Sequence, residues 1–202
     1  MGTSMTKIMV VGLGGIGSWL IDKVSWLVDQ KQLKNIEIHG YDPDSVEEKN
    51  IRYQNFTAND IFENKAVALD IRYHSVNKWF WGHNELITQS KQLKDYDLVV
   101  SAVDNLKLRE LLYLKSSVKN WIDLRSEGRT IMIITSNPSN NTNILKGLVK
   151  GDKEVSGGCQ LQSDLDAGIV QLGNQIVALI GTQLILNWHR NVTLPALFTH
   201  IF

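Results

Sequence analysis

The glycines of Val10-Val11-Gly12-Leu13-Gly14-Gly15-Ile16-Gly17-Ser18 are spaced to hold phosphate. An apolar run from Ile8 to Val11 reads as a buried parallel strand, and an apolar helical pattern through Ile16, Trp19, Leu20, Val24 and Leu27 follows the glycines. Strand, tight turn and helix start aim backbone N–H groups and the positive end of a helix dipole at one point. In this reading Gly12 makes the turn, Gly14 admits an anion close to the backbone, and Gly17 lets helix and strand pack closely. A glycine turn without a ligand is the alternative, because this spacing alone is a weak signal. Asp42 ends the next strand-like run, at the distance where an acidic residue binds ribose hydroxyls. Nucleotide chemistry is therefore expected, and NAD is one candidate.

The elements that position these residues follow an α/β order. After the first helix, Asn35 to Gly40 reads as a short strand ending at Tyr41-Asp42. Asn64 to Val76 carries Ala68, Ile71 and Tyr73 at helical spacing, and Lys78 to Trp81 is aromatic and strand-like. Trp79-Phe80-Trp81 is expected in the strand core or on a partner surface. Asp97 to Val103 is a continuous apolar run, typical of a sheet covered on both faces. Asn105 to Ser117 reads as a helix, then Trp121-Ile122-Asp123 and Thr130 to Ile134 as two strands. Residues 137–166 are polar, rich in Gly, Ser and Asn, and read as a long loop, functional or mobile. An apolar segment from Ala167 to Trp188 reads as a closing helix. The pattern predicts a Rossmann-like, doubly wound, mainly parallel sheet in one domain spanning residues 1–202.

Composition narrows the function. Lys+Arg and Asp+Glu both total 21 in 202 residues, so no basic excess marks a nucleic-acid surface. No apolar run approaches the roughly 20 residues of a membrane span, and no leader pattern for secretion is seen. Residues 1–4, before Met5, read as an extraneous leader. A single cysteine rules out a disulfide framework within the chain and fits a reducing, cytoplasmic setting. The five histidines lack metal-ligand spacing and read as structural or surface residues.

The segment after the second strand is denser in polar groups than a dehydrogenase needs. Four motifs stand in order: the glycine turn with its doubled Gly14-Gly15; D-x-D-x-V-x-x-x-N from Asp42 to Asn50; D-I-x-x-x-K-A from Asp60 to Ala66; and D-N-x-x-x-R from Asp104 to Arg109. Together they resemble the ThiF/MoeB family, the nucleotide-binding fold shared with ubiquitin-activating enzymes. The tail from Asp166 to Gly181 is similar to that family's late helix, so the resemblance spans nearly the whole chain.

The resemblance implies ATP-dependent adenylation of a C-terminal carboxylate, on a small ubiquitin-like or sulfur-carrier protein with a Gly-Gly-type tail or on a peptide. Attack on the α-phosphate gives an acyl-adenylate and pyrophosphate. That reaction needs positive charge on the polyphosphate and a divalent cation. It implies Lys65 as phosphate partner, Asp104 as Mg²⁺ ligand, and Asp42 on the ribose. Asp44, Asn50 and Gln54, with Gly12, Gly14, Gly15 and Gly17, complete the nucleotide site. Each has a plainer alternative. Lys65 could be a solvated lysine, Asp104-Asn105 a helix cap, and Arg109 an ion-pair partner. The resemblance also implies antiparallel strands after Trp121 and a homodimer paired through the late helix.

Three departures bear on activity. The family's N-L-x-R-Q stands here as Asn50-Ile51-Arg52-Tyr53-Gln54, with Tyr53 in the arginine's place. A phenol cannot reproduce the charged guanidinium fork, and Arg52 is the candidate to compensate. The family's N-terminal helix, whose arginine reaches a partner's nucleotide, is not expected in a sequence opening at its first strand. The paired Cys-x-x-Cys zinc motifs are absent, so no zinc is expected. Cys159, in Gly157-Gly158-Cys159-Gln160, is a candidate nucleophile, with a small buried residue as the alternative. The sequence thus supports an adenylating enzyme first, a non-catalytic ThiF-like partner subunit second, and an NAD-dependent oxidoreductase third.

Overall fold

The computed structural model describes residues 5–115, 117–127, 129–137, 139, 145–146 and 172–201. Seven strands form one sheet in the order β3-β2-β1-β4-β5-β6-β7: β1 Thr6–Val11, β2 Ile36–Tyr41, β3 Phe80–His83, β4 Leu98–Ser101, β5 Trp121–Glu127, β6 Thr130–Thr135 and β7 Leu197–Ile201. The first five pair in parallel, and β6 and β7 add antiparallel. This is the expected doubly wound sheet with antiparallel additions towards the C-terminus. The sequence reading had no counterpart for β7, all five of whose residues are exposed. An edge strand without a buried face leaves no alternation to read.

Among the described residues four helices flank the sheet: α1 Gly17–Asp29, α2 Lys65–Asn77, α3 Leu106–Glu110 and α4 Gly173–His189. α1 turns Leu20, Ile21, Val24 and Leu27 inward, the spacing of a helix with one apolar face. Asn64 caps α2, its Oδ1 accepting the N–H groups of Ala66 (3.0 Å) and Val67 (3.1 Å). Asn105 caps α3 through the N–H of Lys107 at 2.9 Å. α3 runs on into one wide helical turn, Leu111–Lys115, so the expected 105–117 helix is present as two pieces. The closing helix is described from Gly173; residues 167–171 of its expected span, and Cys159, lie outside the described residues.

Both faces of the sheet are covered at its centre, and therefore β1 is apolar and buried from Ile8 to Val11. Ile8 and Val10 pack with Leu20, Val24, Ile38, Phe80 and Ile185 on one side. Met9 and Val11 pack with Val99, Leu108, Leu112 and Trp121 on the other. Trp79 and Phe80 belong to the first of these layers, as core residues. The strand order reverses direction between β1 and β4, where the carboxyl ends of an open α/β sheet leave a crevice. Among the described residues no helix is long and apolar enough to cross a membrane.

Candidate functional site

The crevice is built first by the glycine turn. Gly12 has φ +88°, a conformation that favours glycine, and its N–H donates to the Tyr41 carbonyl at 2.9 Å. A Cβ on Gly17 would stand 1.9 Å from the Gly12 oxygen, so α1 starts in direct contact with the turn. A Cβ on Gly14 would meet only the Gln54 amide, at 3.7 Å or more. The backbone at Gly14 is thus the roomier, half-buried side of the turn. Gly15 is buried behind it.

Asp42 ties this turn to the end of β2. Its Oδ2 accepts the Leu13 N–H at 2.7 Å and its Oδ1 the Asp44 N–H at 2.9 Å. Burial pushes its carboxyl up from the ordinary range, against the opposing pull of Lys65 and the two backbone donors. Asn64 holds the same turn from below: besides capping α2, its Nδ2 donates to the carbonyls of Asp42 and Asp44, both at 3.0 Å. The sequence reading had no role for Asn64, although an Asn immediately before a helical pattern is an N-cap signal. Lys65 follows at the first position of α2, 7 % exposed, with Nζ 3.1 Å from Asp44 Oδ2. The pair joins a buried cation to a carboxylate whose side chain is 68 % exposed.

The third contribution comes from β4. Arg109 Nη2 donates to the Val103 carbonyl at 2.9 Å, and its Nε lies 3.5 Å from buried Asp123. Arg109 therefore makes the expected ion pair and anchors the backbone just before Asp104. Asn105, not Asp104, provides the α3 cap, leaving the exposed Asp104 side chain out of that role.

A cleft of about 200 Å³ lies where these parts meet. Gly12, Asp42, Asp44 and Asp104 line it, with Leu86 and Ile87 from the segment after β3 and Val103 and Leu108 as apolar walls. These last four were not legible as site residues, because nothing in their local sequence distinguishes them from core. Lys65 joins the site through Asp44, and Gln54 packs over Gly14. Gln54 is 8 % exposed and its Oε1 has no hydrogen-bond partner.

The remaining expected residues stand elsewhere. Asn50 is buried within its own turn, its Oδ1 accepting the Glu47 N–H at 2.9 Å and its Nδ2 donating to Tyr53 Oη at 3.3 Å. Arg52 is exposed and is not among the residues lining the cleft. Among the described residues no group of three or more His, Cys, Asp or Glu could hold a metal ion. A cation here would depend on few protein ligands and on the substrate's own oxygens, the usual arrangement for Mg²⁺ on nucleotides.

Comparison with known proteins agrees with this fold. No curated protein matches the chain in sequence. Among solved structures, Escherichia coli MccB is similar in fold. Its complex with succinimide superposes with a TM-score of 0.64 at 14 % identity, covering 97 % of this chain and 64 % of MccB. MccB with ATP gives 0.63 at 13 % identity, over 97 % and 63 %, and MccB with MccA-N7isoASN gives 0.65 at 14 %, over 97 % and 64 %. The chain thus spans just under two thirds of MccB's length. A family model, the ThiF family, matches residues 3–199, and this chain belongs to that family.

Proposed function

We propose that the chain binds ATP in the cleft and adenylates the C-terminal carboxylate of a small ubiquitin-like or sulfur-carrier protein, or of a peptide, releasing pyrophosphate. The observation that carries the reading is the meeting of the glycine turn, the Asp42–Asp44 turn and Asp104 around one cleft. MccB supports it as a fold neighbour whose structures include one with ATP and one with AMPCPP and MccA.

In this reading the roomier backbone of Gly14 and the start of α1 receive phosphate. Asp42 holds the ribose hydroxyls with the lone pairs that Leu13 and Asp44 leave free. Leu86, Ile87, Val103 and Leu108 offer the base an apolar slot. Lys65 exchanges its Asp44 partner for the polyphosphate and neutralises the charge that develops on pyrophosphate. Mg²⁺ would be held by Asp104 together with nucleotide oxygens, and supplies further charge neutralisation when bound. A cytoplasmic homodimer is part of the same proposal, with α4, whose Leu179 is 52 % exposed, on the pairing face.

One observation favours a second reading. Tyr53 stands where the family has arginine, its hydroxyl is engaged by Asn50, and Arg52 lies away from the cleft. A subunit that binds nucleotide without adenylating fits these facts.

Calorimetric titration with ATP–Mg²⁺ and with NAD, repeated on Asp104→Ala, tests nucleotide class and cation ligand together. ATP binding that weakens in the variant is expected. NAD binding instead, or equal ATP affinity in both proteins, overturns the assignment. Exchange of labelled pyrophosphate into ATP with a Gly-Gly-terminated protein separates enzyme from subunit.

A further inference from the structure

β2 and β3 turn four rings to one face of the sheet. His39 and Tyr41 alternate along β2, opposite Trp81 and His83 of β3 in the parallel register. The rings form a ladder: His39 stacks on Trp81 at 5.3 Å and on His83 at 5.2 Å, and His83 stacks on Tyr41 at 4.5 Å. Within it His39 Nδ1 and His83 Nε2 lie 2.9 Å apart and share a hydrogen bond.

Residues 84–97, between β3 and β4, pass over this ladder. Tyr96 meets the His39 ring edge-on at 5.5 Å, and its hydroxyl lies 2.7 Å from that of Tyr41. A hollow of about 350 Å³ remains, with His39 and Tyr41 on the sheet side and Glu85, Ile87 and Tyr96 on the other. Tyr41, Glu85 and Ile87 also line the candidate nucleotide cleft. One wall therefore serves both spaces. His83 is where that wall is attached, because its carbonyl accepts the N–H of Asp42 at 3.2 Å and of Glu85 at 2.9 Å. The residue thus joins the acidic turn, the start of the wall and the Tyr41 ring.

Two facing imidazole nitrogens stay bonded only while one of them offers a lone pair. A first proton added to the pair leaves that bond intact, and a second sets N–H against N–H. Lys7 of β1 and Glu37 of β2 face His39, whose Nε2 lies 3.7 Å from Glu37 Oε2. Asp70 of α2 and Glu85 of the wall face His83, and Lys91 and Asp95 line the hollow. The carboxylates favour charged rings, but burial outweighs them and holds both histidines below 6.5.

We propose that the His39–His83 pair positions the nucleotide: its hydrogen bond fixes the wall of Glu85, Leu86 and Ile87, and the second proton releases that wall and weakens adenosine binding. Affinity is then full at neutral pH and falls as the pair becomes doubly charged. The proposal rests on the nucleotide reading of the cleft for its ligand, whereas the link between pair and wall stands without it.

The test follows the full chain by NMR from about pH 8 to about pH 5, the range in which histidine changes charge. Adenosine is the probe, because it carries no phosphate to titrate in that range. The two histidine rings should titrate as a coupled pair, and the Glu85, Leu86 and Ile87 amides should move with the second step. Adenosine affinity should fall about three- to tenfold over that step, the worth of one hydrogen bond. Saturating adenosine should push the second step lower by the same factor, as linkage requires. His83→Gln keeps a hydrogen-bonding side chain that does not titrate, so affinity and wall amides should both become independent of pH. A merely structural role would lower affinity equally at every pH. His39→Gln is the second variant, with the same expectation.

Wall amides that ignore the histidine titration, or a pH dependence of affinity that survives in both variants, overturn the proposal. So does an affinity in the parent that stays flat through the titration. Adenosine that binds at no pH, while the wall amides still follow the histidines, counts against the nucleotide reading and supports the link.

Discussion

Gly17→Ala and Gly14→Ala form a pair that separates the turn's two duties. At Gly17 the added carbon would sit 1.9 Å from the Gly12 carbonyl oxygen and 2.9 Å from its carbon. The colliding atoms are backbone, so no rotamer change relieves them. Alanine gains up to about 1 kcal/mol in helix propensity, and overpacking costs about 1–3 kcal/mol, occasionally more. With a separation more than an ångström short of normal contact, the upper end applies, and a net loss of about 2 kcal/mol is expected. At a typical urea slope near 2 kcal/mol/M, the midpoint should fall by about 1 M, read from the fluorescence of the six tryptophans. ATP affinity should fall as well, because the displaced atoms are the turn itself. At Gly14 the new carbon meets only the Gln54 amide, at 3.7–3.9 Å. Stability should hold within about 0.5 kcal/mol, while ATP affinity falls at least about tenfold by steric exclusion of the phosphate. A Gly14→Ala protein that binds ATP like the parent would refute the anion-approach argument. A Gly17→Ala protein of unchanged stability would refute the packing argument.

Further outcomes follow from other contacts. Asn64→Ala loses the α2 cap and the donor to two carbonyls, and should cost about 2–3 kcal/mol in urea unfolding. Asn64→Asp should restore the cap part alone. Asp123 is wholly buried, accepts from Ser101 at 2.7 Å and from Tyr113, and pairs with Arg125 at 2.7 Å. Asp123→Ala should therefore destabilise by about 3–5 kcal/mol, since it removes the carboxylate that balances the charge of a buried guanidinium. His39 and His83 are joined Nδ1 to Nε2 at 2.9 Å, and burial lowers the pKa of both below 6.5. The native state then binds fewer protons than the unfolded chain, so their contribution is complete above pH 6.5 and is lost as pH falls through the lowered values. Urea midpoints should drop on acidification, and less so in His39→Gln/His83→Gln. Asp42 has the opposite sign: its raised carboxyl favours protonation of the native state, so its contribution declines as pH rises from 3.8 through the raised value. The difference in urea midpoint between Asp42→Asn and the parent, followed across that interval, measures it.

The local devices were legible in the chain because each is written in adjacent residues. The glycine turn, the apolar β1, the acidic turn at Asp42, and Lys65 opening a helix all follow from spacing, conformational freedom and capping chemistry. The covered sheet was legible too, in the uninterrupted apolar runs of β1 and β4, and the resemblance to the ThiF family ordered these pieces. What the sequence could not express is which distant residues share a wall. Asp42, Leu86 and Asp104 meet only because the crossovers place β1 between β2 and β4. The same holds for Asn50, which its motif reads as a nucleotide contact and whose amide the folded turn joins to the Tyr53 hydroxyl. Asn174 is the sharpest case: a polar residue opening an apolar helix looks unremarkable in a list of letters. Only the fold shows that its amide is buried with neither end met, since burial and hydrogen-bond satisfaction depend on neighbours far along the chain.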